Sequence, residues 1–199
     1  MNLSLDGYLS GPHGELDWHF ESWDEEMGTR LLEQLDEADT ILLGRNTYEA
    51  MSGYWPVRPC ASDFPRQDLA IADRMNSYRK IVFTRSKTIP AWNNSTFTEA
   101  EPAEEILHLK KKTGKNIILY GSGRLASAII QARLVDEYLL WVHPVILGTG
   151  RLLFNNISER VHLKLLRSLP FNSGVVAFSF EVLRQREFAR SGLYNSILT

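Results

Sequence analysis

The sequence predicts an α/β fold of three layers: a mostly parallel central sheet, helices on both faces, and antiparallel strands at the C-terminal end. Three observations carry this. Short apolar runs alternate with helix-period segments through the first two-thirds of the 199 residues, the mark of strand–helix units on a parallel sheet. From Asp136 onward, longer strand-like runs follow one another with no helix between them. Two of the apolar runs end in glycine-bearing turns, Thr40-Ile41-Leu42-Leu43-Gly44-Arg45-Asn46-Thr47-Tyr48-Glu49 and Asn116-Ile117-Ile118-Leu119-Tyr120-Gly121-Ser122-Gly123-Arg124-Leu125, each opening a helical segment.

Taken in order, Met1-Asn2-Leu3-Ser4-Leu5 reads as a strand and Asp6-Gly7 as a turn. Ser10-Gly11-Pro12-His13-Gly14 is a loop. Asp24 opens a helix whose apolar residues Met27, Leu31, Leu32, Leu35 and Ala38 share one face. Ile41-Leu42-Leu43 is a strand, and residues 45–52 are a short helix. Residues 53–65 carry Trp55-Pro56 and Arg58-Pro59 and read as loop. A short helix is expected over 68–78, and a strand over 80–84 ending in Arg85-Ser86-Lys87. Thr96-Phe97-Thr98 is a short strand. Pro102 suits the first turn of a helix over 103–112, which Gly114 stops. Lys110-Lys111-Lys112, late on that helix, complement its dipole. A strand over 117–120 and a helix over 124–132 follow. The last third holds strands over 137–143, 161–168 and 175–183. In the last of these, Val176, Phe178, Phe180 and Val182 alternate onto one face. One domain is expected over 1–184, with a polar tail over 185–199.

Composition narrows the function. An apolar share of 44%, with 5 Trp, 7 Tyr and 9 Phe, is enough for the core of one full domain. A net charge of −2 with scattered basic residues argues against nucleic acid or an anionic membrane as the main partner. The single cysteine, Cys60, excludes an intramolecular disulfide. It sits in a loop with no histidine nearby, so it is not expected to be a nucleophile. The 5 histidines show no metal-ligand spacing, and no metal site is expected. No run approaches the ~18 consecutive apolar residues of a membrane span, and no secretory pattern opens the chain. A cytoplasmic enzyme is the expectation.

A glycine turn between strand and helix presents backbone N–H groups to phosphate. Two such turns in one small domain point to a ligand with phosphates at two places, such as a dinucleotide. Gly121-Ser122-Gly123-Arg124-Leu125-Ala126 also meets the loose glycine fingerprint of a Rossmann site. That fingerprint belongs at the first strand–helix turn, with an acid about 20 residues on. Here it comes late, and the next strand ends at Trp141-Val142-His143 with no carboxylate, so a standard Rossmann domain is set aside.

The order of these segments resembles the dihydrofolate reductase-like fold. More narrowly, it is similar to the reductase domain of the bifunctional riboflavin-biosynthesis deaminase-reductase and to its small stand-alone bacterial relatives. The residues that carry the resemblance are Ser4-Leu5-Asp6-Gly7-Tyr8, Leu43-Gly44-Arg45-Asn46-Thr47-Tyr48-Glu49, Val82-Phe83-Thr84-Arg85-Ser86, Tyr120-Gly121-Ser122-Gly123-Arg124-Leu125, Leu134-Val135-Asp136-Glu137, and His143-Pro144-Val145-Ile146-Leu147-Gly148-Thr149-Gly150 with Leu152-Leu153-Phe154. Together they reach from about residue 3 to residue 183. The zinc signature of the deaminase half is absent. Family members carry several residues before the segment matching Ser4-Leu5-Asp6-Gly7, so this chain is expected to begin short.

The resemblance implies NADPH. It places Gly44, Arg45 and Thr47 at the cofactor phosphates, Thr84, Arg85 and Ser86 beside the 2′-phosphate, and Gly121, Ser122, Gly123, Arg124 and Leu125 under the pyrophosphate and nicotinamide. Dihydrofolate reductases carry a cis peptide between two glycines in the last turn; Ser122 in the second place makes a cis bond costlier. Independently, Arg45 and Arg85 at strand ends suit bidentate phosphate recognition, or they are plain surface arginines.

The substrate side is thinner. Dihydrofolate reductases place a carboxylate on the first helix, and that spacing lands near Gly28, where no acid stands. Asp24, Glu25 and Glu26, one turn earlier, suit the helix dipole. Asp6 is the candidate catalytic carboxylate, or a turn former. Tyr8, Trp18 and Trp55 are candidate substrate contacts, with core packing the alternative for Tyr8 and Trp18. His143 reads as a packed histidine. The function expected is an NADPH-dependent reductase of a small heterocyclic or carbonyl substrate. Reduction of 5-amino-6-(5-phosphoribosylamino)uracil is the closest chemistry that the resemblance implies. The alternative is a non-catalytic nucleotide- or pterin-binding protein. A homodimer through the antiparallel C-terminal strands is expected.

Overall fold

The computed structural model describes residues 1–57, 68–155 and 157–184. Cys60, with residues 58–65 of the expected 53–65 loop, and the expected 185–199 tail lie outside the described residues, while residues 53 and 54 belong to α3. In chain order the elements are β1 (Asn2–Ser4), β2 (Tyr8–Ser10), α1 (Asp17–Phe20), α2 (Glu25–Asp36), β3 (Ala38–Gly44), α3 (Arg45–Tyr54), α4 (Leu69–Ser77), β4 (Arg79–Phe83), β5 (Ser95–Thr98), α5 (Pro102–Leu109), β6 (Asn116–Gly121), α6 (Gly123–Gln131), β7 (Glu137–His143), β8 (Arg151–Leu152), β9 (His162–Pro170) and β10 (Val176–Leu183). Contacts divide the chain into two compact units, His19–Leu134 and Met1–Trp18 with Val135–Thr199.

The unit His19–Leu134 is the strand–helix part. Its four strands are all parallel, in the order β5-β4-β3-β6. The chain steps outward from β3 to β4 and β5, then crosses back to β6 on the other side of β3. Right-handed crossovers then put the helices before and after that reversal on opposite faces: α2 packs with α4, and α5 with α6. Leu35, Ile41, Leu43, Tyr48, Ile71, Met75, Val82 and Trp92 form one buried cluster. Each such large side chain, fully buried, contributes about 1.5–3 kcal/mol. Leu42 points to the other face of β3, where Ile106, Leu109, Leu125 and Ile129 are buried.

Helix α2 begins where its sequence says. The Asp24 carboxylate accepts from the Met27 N–H at 2.8 Å, satisfying one of the N–H groups that a helix start leaves open. Lys80 was expected only to start a strand, but it is fully buried. Its Nζ donates to the Tyr78 carbonyl at 2.7 Å and the Asn76 carbonyl at 3.2 Å, and lies 4.5 Å from the centre of the Trp92 ring. These contacts replace water; burial lowers the Lys80 pKa to about 8.

The other unit carries the four-stranded sheet β1-β7-β10-β9 and the two-stranded ribbon β2-β8. Only β1 and β7 run parallel; β7, β10 and β9 are antiparallel. Trp141 stacks on Phe171 with centroids 5.3 Å apart. On β10, Val176, Phe178, Phe180 and Val182 do alternate, yet all are half-buried, and the buried residue is Ala177 on the opposite face. The register passes from Ser179↔Arg167 to Phe180↔Leu165, leaving Leu166 of β9 as a bulge. The short elements α1, β2 and β8 were not expected. β2 and β8 exist through long-range pairing, Tyr8 with Leu152, which local periodicity does not encode.

Candidate functional site

The two glycine turns meet. β3 and β6 are neighbours, with Leu43 opposite Gly121, so both turns sit at the carboxyl ends of adjacent parallel strands, where the strand order reverses. Ligands of open α/β sheets bind at such a switch point. A Cβ on Gly44 would lie 2.5 Å from Ser122 Oγ and 3.0 Å from Ser122 N. Gly121 has φ +133°, and its Cβ would lie 3.0 Å from Thr47 Oγ1. Glycine is needed at Gly44 because Ser122 lies so close, and at Gly121 because its φ is one that side chains rarely allow and Thr47 crowds it. The Gly121–Ser122 peptide is cis.

Each turn opens a helix. Gly44 is the N-cap of α3 and Ser122 the N-cap of α6, and neither helix start carries a side-chain cap; α2, capped by Asp24, is the contrast. The first backbone bond of α6 runs from Ala126 N to Ser122 O at 2.9 Å. The N–H groups of Gly123, Arg124 and Leu125 precede it and have no place in the helix ladder. Such a set of donors at the positive end of a helix dipole suits an anion. Leu125 offers only backbone there, since its side chain is buried in the core.

The third segment lies one strand over. Gly44 pairs with Phe83 at the end of β4. Beyond it Ser86 N donates to Thr84 Oγ1 at 3.0 Å, and Ser86 Oγ to the Thr88 carbonyl at 3.2 Å. Strand spacing of ~4.8 Å makes the row β4–β3–β6 on the order of 10 Å wide, the reach of an extended ligand. Arg45 donates from Nε to Glu49 Oε1 at 2.9 Å and is half-exposed. Arg85 is 81% exposed, with Nη2 3.9 Å from Glu101 Oε1. Exposed pairs of this kind contribute about 0–1 kcal/mol, so a phosphate exchanges for the partner carboxylate at little cost.

The substrate candidates have other commitments. In the unit holding the chain start, the Asp6 carboxylate accepts from Ser4 Oγ at 2.6 Å, Leu147 N at 3.1 Å and Gly148 N at 2.7 Å. Those donors, the Ser4 hydroxyl first, hold its pKa below the usual carboxylate value. An acid kept ionised is a poor proton donor. Tyr8 lies on β2, its hydroxyl 3.4 Å from the Gly148 carbonyl. Trp18 stands edge-on to His143 at 5.3 Å, and its Nε1 donates to the Glu15 carbonyl at 3.3 Å. His143 is buried as expected and shares a 3.2 Å hydrogen bond with Asn2 Oδ1. In the other unit, Trp55 caps the C-terminus of α3, packs against the core cluster, and accepts from Asn76 Nδ2 at its carbonyl. The sequence offers Asp68 only as the start of a helix, but its Oδ1 is buried with no hydrogen-bond partner among the described residues. No sequence pattern signals that, because it depends on what packs around the side chain. Among the described residues no His, Cys, Asp and Glu group could hold a metal ion, and no helix is long and apolar enough to cross a membrane.

The RibD C-terminal domain model matches residues 1–177. The chain belongs to the RibD C-terminal domain family. Among relatives of this RibD C-terminal domain chain is YyaP, an uncharacterized protein of Bacillus subtilis (strain 168). It is 36% identical over 176 residues, which cover 88% of this chain and 89% of YyaP. Solved structures share the fold. A protein of Shewanella sp. PV-4 assigned to riboflavin biosynthesis superposes with a TM-score of 0.69 at 20% identity, covering 92% of this chain and 97% of that one. Dihydrofolate reductase from Enterococcus faecalis, in complex with NADP(H) and RAB-propyl, superposes with a TM-score of 0.59 at 16% identity, covering 92% and 94%. The family and the α/β fold expected from the sequence both stand.

Proposed function

We propose that this chain is an NADPH-dependent reductase of a small heterocyclic or carbonyl substrate, acting in the cytoplasm. The observation that carries it is the contact of the Gly44 and Gly121 turns, which opens two uncapped helix starts at one switch point of the sheet. The residues fit the cofactor. Gly44 and Gly121 themselves put no side chain on the turns, where the Ser122 and Thr47 side chains already lie close. The N–H groups of Gly123, Arg124 and Leu125 suit a pyrophosphate, and Thr47, Thr84 and Ser86 offer hydroxyls along the same row. Arg45 and Arg85 suit the 2′-phosphate that distinguishes NADPH from NADH. NADPH, when bound, supplies a hydride to an electrophilic carbon. The chain's own contribution is to hold and orient the cofactor along these turns; Asp6 holds its own loop at Leu147 and Gly148. The first substrates to try are 5-amino-6-(5-phosphoribosylamino)uracil and dihydrofolate. Titration with NADPH and NADH tests the cofactor: NADPH binding at least ~10-fold tighter is expected from one charge-assisted phosphate contact. Equal binding, or none, rejects the reading.

Gly28, without an acid, and Asp6, committed to its loop, favour a second reading: a protein that binds a nucleotide or pterin without turnover. NADPH oxidation across pyrimidine, pterin and quinone acceptors separates the two, and binding without oxidation across the panel selects the second. A homodimer is part of the proposal. Phe180 pairs with Leu165, which is 51% exposed, and Phe178 and Phe180 stack at 5.7 Å on the same half-buried face. Such a face suits a second copy. Light scattering tests this, and a monomer refutes it.

A further inference from the structure

The segment Thr84-Arg85-Ser86 leaves the end of β4, and the limb 88–94 leads the chain back to the start of β5. That limb is tied down along its length. Ser86 Oγ donates to the Thr88 carbonyl at 3.2 Å. Ile89 packs against the core cluster, and the Tyr48 hydroxyl donates to the Pro90 carbonyl at 2.9 Å. Trp92 is buried 5.8 Å from the Tyr48 ring and donates from Nε1 to Asn76 Oδ1 at 2.7 Å. The Asn94 carbonyl accepts from Lys80 N at 2.8 Å. Beneath the Trp92 ring, 4.5 Å from its centre, lies the Lys80 Nζ, which donates to the Asn76 and Tyr78 carbonyls. An apolar side chain would fill that place without the cost of burying a charge, so the cation calls for a reason. Burial alone lowers its pKa to about 8. Charged and titratable groups on the elements around it are engaged elsewhere. Arg74 of α4 pairs with Asp36 and Asp73, Glu49 of α3 with Arg45, and Asp39 of β3 accepts from Lys115 N and Thr40 Oγ1. The Tyr78 hydroxyl donates to the Leu35 carbonyl. The limb 88–94 and β5 carry no charged residue.

We propose that Lys80 is a positioning residue for the segment Thr84-Arg85-Ser86: its buried ammonium seats Trp92, and through Trp92 the limb 88–94 that holds the segment in place. An ammonium has three N–H groups, enough for both carbonyls and the ring face. The neutral amine loses the charge and the third donor, so the carbonyl bonds can persist while the hold on Trp92 weakens. The proton on Lys80 thereby sets how firmly the segment is held. This deepens the reductase reading and rests on it only for the ligand. Where the segment meets the 2′-phosphate, loss of the proton weakens NADPH and leaves NADH alone.

The test is a pH series on the full chain and its variants, from about pH 7 to about pH 9.5, where the 2′-phosphate itself stays doubly charged. NADPH affinity of the parent is expected to fall about 3- to 30-fold across a midpoint near pH 8, with NADH unchanged. Lys80→Met, without the charge, is expected to bind NADPH at the weak level at every pH. Lys80→Arg, charged throughout, is expected to restore the tight level at every pH. Two readouts need no cofactor. Tryptophan fluorescence of the parent titrates with the same midpoint, and this step is missing from Trp92→Phe and Lys80→Met. At pH about 7, amide exchange over residues 84–88 is faster in Lys80→Met than in the parent. The melting temperature of the parent relative to Lys80→Met climbs between about 8 and 10.5, because the folded chain gives up the Lys80 proton before the unfolded chain does. A fluorescence signal that does not titrate, or unchanged exchange over 84–88 in Lys80→Met, overturns the proposal. Exchange raised equally throughout the chain also overturns it, by marking a lysine that serves stability alone. A parent that binds no NADPH rejects the reductase reading, and the exchange rates still decide this one.

Discussion

The turn 121–125 and the loop 147–150 both follow a strand and both present backbone N–H groups. They differ in what fills them. At Leu147 and Gly148 the N–H groups donate to the chain's own Asp6 carboxylate, 3.1 and 2.7 Å away. At Gly123, Arg124 and Leu125 no side chain caps the helix start. An anion site filled by the protein is structure, and its carboxylate is held ionised by its donors. A helix start left uncapped, beside two glycines with no room for a Cβ, suits a phosphate. Asp6 and Asp68 show the same contrast in carboxylates: donors lower the pKa of one and burial raises that of the other.

The strongest way to break this contrast is to close the open site. Gly121→Val adds a branched side chain at φ +133°, against Thr47. It is expected to abolish NADPH binding at any practical concentration in a fluorescence titration, and to cost about 1–3 kcal/mol of stability. Tight binding by this variant would mean that the turns are not the cofactor site. Next comes Arg124→Glu, on an exposed residue in the first turn of α6. The helix should gain a few tenths to about 1 kcal/mol from an acid at its N-terminus, while NADPH binds about 10-fold or more weakly. Stability and affinity moving together would erase the distinction between a capped and an open helix start.

Asp6→Ala probes the filled site. The parent's advantage in melting temperature should be full above the ordinary carboxylate value of 3.8. The sign follows from linkage: a depressed folded-state pKa means that the unfolded chain binds the proton first, so this stability is lost as pH falls through the folded value. A melting series across pH checks it, and NADPH affinity should not move. The smallest effect belongs to Asp24→Ala, expected to cost about 1 kcal/mol by loss of the cap on α2, with NADPH affinity again unchanged. A cofactor effect there would show that all helix starts in the sheet act alike.

Much of the strand–helix part was legible in the sequence, because its elements are local. Met27, Leu31, Leu32 and Leu35 mark one face of α2 and Asp24 marks its start, while Ala38, expected on that same face, instead opens β3; the apolar runs ending at Gly44 and Gly121 mark two strands. β2 and β8 were not legible, since each is held by a partner far along the chain. The alternation on β10 was read correctly, but not its burial, which depends on the neighbouring strand and on the bulge at Leu166. The same limit applies to the site. Glycine turns with helices after them are visible in a sequence, whereas the 2.5 Å that a Cβ on Gly44 would leave to Ser122 is not.

The sequence by itself determined the family, the alternation of strands and helices, and the three segments that suit a dinucleotide, because each is written in short-range pattern and spacing. The tertiary structure decided that two of those turns touch, that Asp6 is spent on its own loop, and that Asp68 keeps a buried oxygen unmade beside Gly28. Those outcomes depend on which distant groups arrive as donors and which space stays empty, and packing alone settles that.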